Sequence, residues 1–269
     1  MANIHPSAVV AEDAQLAEDV VVGPFCIIGR GAVIGAGTTL LANVVIEAGV
    51  NIGQQNVFYS HATIGAQPQM LGAGLDLKSG GLIIGDRNVF REQVTVHRSL
   101  TPGQYTRIGN DNLLMVSCHI GHDCVIEDKV VLTNLVQLAG HCKLEVGAWL
   151  SGLVGVHQFV TVGRWSYAAG HTSVVRDIPP FLAVSGSYPT RVRGVNSRGF
   201  NRAGLTDAQK TAVRQAYQRL YRTKDGTLLS NARRLAAQNG LDENVRSMIE
   251  FIEKSSQHRF GRYLELYRH

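Results

Sequence analysis

Aliphatic or aromatic residues recur at every sixth position from Ile4 through Val10, Leu16 and Val22 to Ile64 without a miss. The beat lapses, returns at Ile84, Phe90 and Val96, lapses again, and then runs from Ile108 to Val174. A chain that is 45% hydrophobic would not keep this spacing by chance over such a length. Glycine often follows the repeated residue, as at Gly23, Gly29, Gly35 and Gly121. A period of six predicts a hexapeptide β-helix, in which three flat sides close one coil and positions one coil apart stack at roughly 4.8 Å. The repeated aliphatic residue fills the interior, and there is room for roughly nine coils. The two lapses, residues 66–82 and 98–107, are expected to be loops thrown outward from the scaffold, where binding residues commonly sit.

After Val174 the pattern changes. Pro179 and Pro180 are expected to end the strands, since proline cannot donate to a ladder. From Thr206 the chain reads as a helix, with Thr206 and Gln209 spaced for a capping box and Val213, Ala216, Tyr217 and Leu220 on one apolar face. Further helices are expected over 227–238 and 243–254. The predicted fold is a β-solenoid over residues 1–190 with a small α-helical domain over 191–269.

The register also says which way side chains point. Counting the repeated residue as position one, Cys26, Cys118, Cys124 and Cys142 all fall at position five, beside Ala8, Ala32, Val44, Ala62 and other mostly small residues. They are expected to be inward packing residues rather than metal ligands, because a free cysteine behaves as a small hydrophobe. His119, His122, His141 and His157 fall outside the inward columns. His141 and His157 stand one residue either side of the column above His122, so three imidazoles are expected along one outer edge. Histidine exchanges protons near neutral pH, and Asp123 next to His122 would either hold the ring and stabilise its protonated form or serve as an ordinary turn residue.

Charge separates the two parts. Up to residue 190 there are 10 Lys and Arg against 14 Asp and Glu; beyond it, 16 against 7, so the tail carries +9 and the front −4 of the net +5. That excess suits an acidic protein or a phosphate-bearing substrate. No helix-turn-helix, zinc-finger or aromatic-interleaved basic pattern accompanies it, so no nucleic-acid partner is expected. Apolar runs are too short to cross a bilayer, and the N-terminus lacks the pattern of a secretion signal. The expectation is a cytoplasmic protein without stable membrane insertion.

The stretches IGDRNVFREQVTVHR (84–98), NLLMVSCHIGHDC (112–124), LAGH (138–141), VHQF (156–159), DIPP (177–180) and GVNSRGFNRAG (194–204) occur in this order. Together they resemble the cytoplasmic UDP-N-acetylglucosamine 3-O-acyltransferases that begin lipid A synthesis. The glucosamine N-acyltransferases of the same pathway carry an added N-terminal nucleotide-binding domain, whereas the repeats here begin at Ile4. The resemblance implies a left-handed helix, a homotrimer with sites between subunits, and acyl carrier protein as donor of a 3-hydroxyacyl chain. No metal or cofactor is implied beyond the donor's phosphopantetheine thioester. It further implies that His122 is the general base, that Asp123 is its partner, and that the Gly140 N–H faces the developing oxyanion. His141 would contact the sugar; His119, His157 and Gln158 would bind substrate, with Gln69, Asp76 and Lys78 from the first loop. Asn196 and Arg202 match nucleotide or phosphate contacts, and Gly170 matches the hydrocarbon ruler, where a glycine leaves room for a longer chain.

The sequence departs from the pattern at Met70, which follows Pro68 and Gln69, at Arg198 in place of an acidic residue, and at Ala203 in place of an arginine. These departures leave open a 3-amino variant of the sugar nucleotide as acceptor. Two readings from other classes are a γ-type carbonic anhydrase, with His119, His122 and His141 on zinc, and a non-catalytic solenoid scaffold.

Overall fold

The computed structural model describes residues 2–71, 78–223 and 225–268. Strands, mostly two residues long, recur every six residues, and each pairs in parallel with its counterpart one coil away, as in Val21↔Thr39, Ile27↔Val45 and Val33↔Asn51. Face one of the prism starts at Asn3–Ile4, face two at Val9–Val10 and face three at Gln15–Leu16. Among the described residues the three sheets hold 11, 9 and 8 strands. The second residue of each strand points inward, so Val22, Ile28, Ile34, Leu40 and Ile46 are all buried. Each contributes about 1.5–3 kcal/mol of burial.

Corners decide where side chains can emerge. From Phe25 on, most turns carry one residue with positive φ, and this chain often fills the position without glycine, as at Gln55, Leu135, Leu153 and Trp165. One column shows where glycine is required instead. A methyl group on Gly35 would fall 2.6 Å from the Gly53 carbonyl oxygen, one on Gly53 2.7 Å from that of Gly85, and one on Gly85 2.8 Å from that of Gly109. Successive coils are therefore in backbone contact along this edge.

All four cysteines are buried in the interior column. That column is not uniformly small and apolar, however. Asn56, Asn88 and Asn112 occupy it as a buried ladder, each side-chain oxygen accepting a backbone N–H from the next coil: Asn88 at 2.9 Å, Asn112 at 3.0 Å and Val130 at 2.7 Å.

The first interruption lies between strands Thr63–Ala66 and Gly81–Ile84, and the second between Thr95–His97 and Tyr105–Ile108. Face two remains continuous past the first loop, with Thr63 paired to Thr95. The proline pair does not end the strands. Ile178 still bridges to Val162, Leu182–Ser185 pairs in parallel with Tyr167–Ala168, and Arg191–Val195 adds an antiparallel strand. Both prolines sit in the turn before Leu182, where no ladder N–H is needed.

Among the described residues four α-helices follow: α1 Ser197–Arg202, α2 Asp207–Tyr217, α3 Leu228–Ala236 and α4 Glu243–Ser255. Thr206 and Gln209 form the capping box, and Val213, Ala216, Tyr217 and Leu220 are buried with Met248, Ile249 and Phe200. Short α1 carries no apolar period long enough to be read from sequence. A 3-10 turn, Tyr263–Tyr267, closes the described chain.

Candidate active site

The corner between faces two and three carries Gly31 and Gly49 in the early coils, both with positive φ. Further along, the same corner carries Asp123, His141 and Phe159 at φ 59°, 62° and 64°. Such a backbone costs a non-glycine residue about 1–2 kcal/mol, and strain of this kind gathers at functional sites. Asp123 is thus both the turn residue and the partner that its sequence position allowed.

His122 Nδ1 lies 2.7 Å from Asp123 Oδ2, and both side chains are largely buried. The carboxylate therefore holds the proton on Nδ1 and leaves Nε2 as the basic nitrogen. The second loop fixes Asp123: Ser99 Oγ donates to Oδ1, Leu100 N donates to Oδ2 at 3.1 Å, and Asp123 N donates to Thr106 Oγ1 at 2.8 Å. Burial pushes the Asp123 carboxyl up, but the hydrogen bonds from His122, Ser99 and Leu100 outweigh it and hold the group below the usual carboxylate range. The His122 ring rests on Gly140. A methyl group there would stand 2.6 Å from its Cε1 and 2.7 Å from its Nε2. The Gly140 N–H makes no hydrogen bond among the described residues.

Around this pair lies a cleft of about 540 Å³. Of the residues expected at the site, Gln69, His119, His122, Gly140, His157 and Gln158 line it. His141 stands behind, edge-on to His122 with ring centroids 5.0 Å apart and Nε2 3.8 Å from Asp123 Oδ2. Burial lowers the His141 pKa, with His122 and Arg268 acting the same way and Asp123 opposing. His119 lines the cleft beside His97: its Nδ1 lies 3.0 Å from Thr95 Oγ1 and its ring meets His97 at 5.0 Å. Burial, then His97 and His122, bring its pKa down to about 4, so it is neutral at pH 7.

The histidines required for a zinc site at His119, His122 and His141 are therefore not grouped within the chain. The one set of three potential ligands among the described residues is His122, Asp123 and His141, with ligand atoms within 4.8 Å. The thiols take no part; burial pushes Cys118 up to about 11.

Four contributors went unread in the sequence. His97 is buried and its Nδ1 lies 2.5 Å from the Gln67 carbonyl oxygen, which ties the first loop to the cleft. Ser99 and Thr106 hold Asp123, and Phe159 stacks on His141 at 4.6 Å with planes 9° apart. The hexapeptide register carries a signal for Phe159, since residues 123, 141 and 159 are one coil apart; Ser99 and Thr106 lie in or beside a lapse and gave none.

Other expected residues lie apart from the cleft. Asp76 is outside the described residues. Lys78 is exposed and does not line the cleft. Asn196 and Arg202 line a separate cavity of about 550 Å³ with Trp149, Tyr167, Arg198 and Asn201. Trp149 and Tyr167 belong to face one, whereas the cleft spans face two and the corner beyond it. The Arg202 guanidinium lies 4.8 Å and 5.2 Å from the Trp149 and Trp165 rings, and Asn196 Nδ2 donates to the Trp165 carbonyl oxygen at 2.8 Å. Gly170 is exposed at the corner between faces one and two, and a methyl group there would meet only the Gly152 carbonyl oxygen, at 3.3 Å.

Comparison with known proteins decides the family. A protein named acyl-(acyl-carrier-protein)-UDP-N-acetylglucosamine O-acyltransferase from Anaeromyxobacter sp. (strain Fw109-5) is 43% identical over 255 residues, covering 93% of this chain and 96% of that one. The chain belongs to the UDP-N-acetylglucosamine O-acyltransferase family. Residues 177–261 match the model described as Udp N-acetylglucosamine O-acyltransferase, Domain 2. A similarly named O-acyltransferase from Gloeothece citriformis (strain PCC 7424) is 44% identical over 183 residues, 67% of this chain and 64% of that protein's length. The crystal structure of the Francisella novicida UDP-N-acetylglucosamine acyltransferase superposes with TM-score 0.87 at 34% identity, over 93% of this chain and 91% of that one. The O-acyltransferase fold here is the β-helix with a helical C-terminal domain that the residue pattern predicts, left-handed as the resemblance implies.

Proposed function

We propose that this acyltransferase moves a 3-hydroxyacyl chain from acyl carrier protein to the 3-hydroxyl of UDP-N-acetylglucosamine, the first step of lipid A biosynthesis. The observation that carries the mechanism is the 2.7 Å His122–Asp123 pair packed on Gly140 at the cleft wall. His122 Nε2 removes the proton as the sugar oxygen attacks the thioester carbonyl. Asp123 stabilises the imidazolium, and the Gly140 N–H donates to the oxyanion where charge develops. Collapse breaks the carbon–sulfur bond, and the imidazolium returns its proton to the leaving thiolate. The thioester supplies the reactive acyl group, so the scheme uses no resident cofactor or metal.

Sugar binding falls to His141, with His119, His157, Gln158 and Gln69 around it, and nucleotide binding to Asn196 and Arg202. Because those two stand on a different face from His122, the reading calls for a homotrimer in which the nucleotide cavity of one copy meets the cleft of the next. Leu135 and Leu153 support it: both are exposed and both hold positive φ at the corner between faces one and two, a costly arrangement for a leucine facing only water. The basic helical domain suits an acidic carrier protein. Among the described residues no helix is long and apolar enough to cross a membrane, which accords with cytoplasmic chemistry on water-soluble substrates.

Purified protein incubated with 3-hydroxyacyl carrier proteins and UDP-N-acetylglucosamine is expected to give a 3-O-ester by mass spectrometry. No ester here, with an amide formed on the 3-amino sugar nucleotide, would replace the acceptor. The open corner at Gly170 predicts preference for a fourteen-carbon over a ten-carbon donor, and Gly170→Met is expected to reverse it; a ten-carbon preference in the parent enzyme contradicts the assignment.

A further inference from the structure

The last described residues fold back on the end of the solenoid, beginning where the family match stops at residue 261. Asp177 N donates to the Gly261 carbonyl oxygen at 2.8 Å, and Tyr263 N donates to Asp177 Oδ2 at 3.0 Å. Arg262 is buried and donates Nη1 to the Val175 carbonyl oxygen at 2.9 Å, and Val175 itself lines the catalytic cleft. This segment is a strap fastened to the rim of the cleft.

The strap ends in a second arginine placed quite differently. The Arg268 side chain is 62% exposed, and its Nη1 lies 3.5 Å from Glu265 Oε1. The other Glu265 oxygen is taken by Arg262 Nε at 2.7 Å. The Arg268 guanidinium carbon lies 5.8 Å from the centre of the Phe159 ring, and Phe159 in turn stacks on His141 beside His122. Among the described residues lining the cleft there is neither a lysine nor an arginine. Arg268 is thus a permanent cation fixed at the edge of a catalytic cluster whose lining supplies none.

We propose that Arg268 is a substrate-binding residue that takes a phosphate group of a substrate bound beside the His141–Phe159 stack, with the Tyr263–Tyr267 turn as its holder. The assignment rests on the function proposed above, in which both substrates carry phosphate: the diphosphate of the sugar nucleotide and the phosphodiester of the carrier arm. A guanidinium suits phosphate because its planar N–H groups match two oxygens at once, and the apolar Phe159 ring shields one side of it from water. The single 3.5 Å contact to Glu265 orients it without using its remaining donors.

The test measures KM for each substrate separately in the wild-type protein, Arg268→Ala, Arg268→Lys and Arg262→Met. Arg268→Ala is expected to raise KM about tenfold for one substrate, the loss of one charge-assisted contact, with kcat within about twofold. Arg268→Lys should fall between, and Arg262→Met should affect the same substrate by releasing the strap. A rise confined to the sugar nucleotide assigns the diphosphate; one confined to the acyl carrier protein assigns the carrier arm. Calorimetric binding of UDP and of free 4′-phosphopantetheine gives a readout independent of turnover, and Arg268→Ala is expected to weaken one of them similarly. Unchanged KM and binding for both would overturn the assignment. Failure of wild-type protein to transfer acyl groups would instead overturn the function, leaving the binding experiment to judge Arg268.

Discussion

At the scale of single residues, the site depends on one hydrogen bond and one missing methyl group. Asp123→Asn keeps the shape of the side chain but removes the charge that, in the proposed mechanism, stabilises the His122 imidazolium. Its kcat is expected to fall by roughly 10²–10⁴ with KM little changed, measured by steady-state transfer. Gly140→Ala should also lower kcat in a folded protein, because the new methyl group would stand 2.6 Å from the His122 ring. His119 gives a stability prediction with a definite sign. Its folded pKa of about 4 lies below the ordinary histidine value, so the unfolded chain binds more protons between about pH 6.5 and 4. Stability is then complete above that window and is lost as pH falls through it, by about 1 kcal/mol at pH 5 after solvent screening. Urea unfolding at pH 7.5 and pH 5 should show His119→Gln losing less than wild type; an equal loss would contradict the account. His122, Asp123 and His141 were legible because the hexapeptide register fixes which side chains leave the interior. Ser99 was not, since it reaches Asp123 from a loop to which no period applies.

At the scale of elements, the solenoid is a stack of backbone contacts as much as a column of aliphatic side chains. Gly53→Ala would push a methyl group to 2.7 Å from the Gly85 carbonyl oxygen and 2.2 Å from Asp86 Oδ1. The expected cost is about 2–3 kcal/mol, read as a lower urea midpoint, and an unchanged midpoint would contradict the packing described. The beat of every sixth residue made these elements readable, from the strands to the buried cysteines. The asparagine ladder escaped because position five was read as a place for small or apolar groups, whereas an amide survives there by accepting the N–H of the next coil. The strands beyond Pro179 and Pro180 escaped for a related reason: proline forbids a ladder donor only where one is needed, and a turn needs none. Helix α1 is six residues long, too short for a helical period to declare itself.

At the scale of the molecule, the proposed function has copies share a site, because the cleft lies on face two and the Arg202 cavity on face one. Mixing His122→Ala with Arg202→Ala protein, each nearly inactive alone, under conditions that exchange subunits should restore activity. Some mixed interfaces would then hold an intact cleft and an intact cavity. No recovery despite demonstrated exchange would mean that each chain works alone. This arrangement was implied by family resemblance and could not have been read from residue spacing, because no period within one chain reports on its neighbour. The central claim is that His122 is the base for acyl transfer to UDP-N-acetylglucosamine. It is tested most directly by the rate of transfer from a 3-hydroxyacyl carrier protein in wild-type and His122→Ala enzyme, with folding checked by circular dichroism. The account predicts ester formation by the wild type and a loss of roughly 10²–10⁴ in the variant; a folded variant that transfers at the wild-type rate would contradict it.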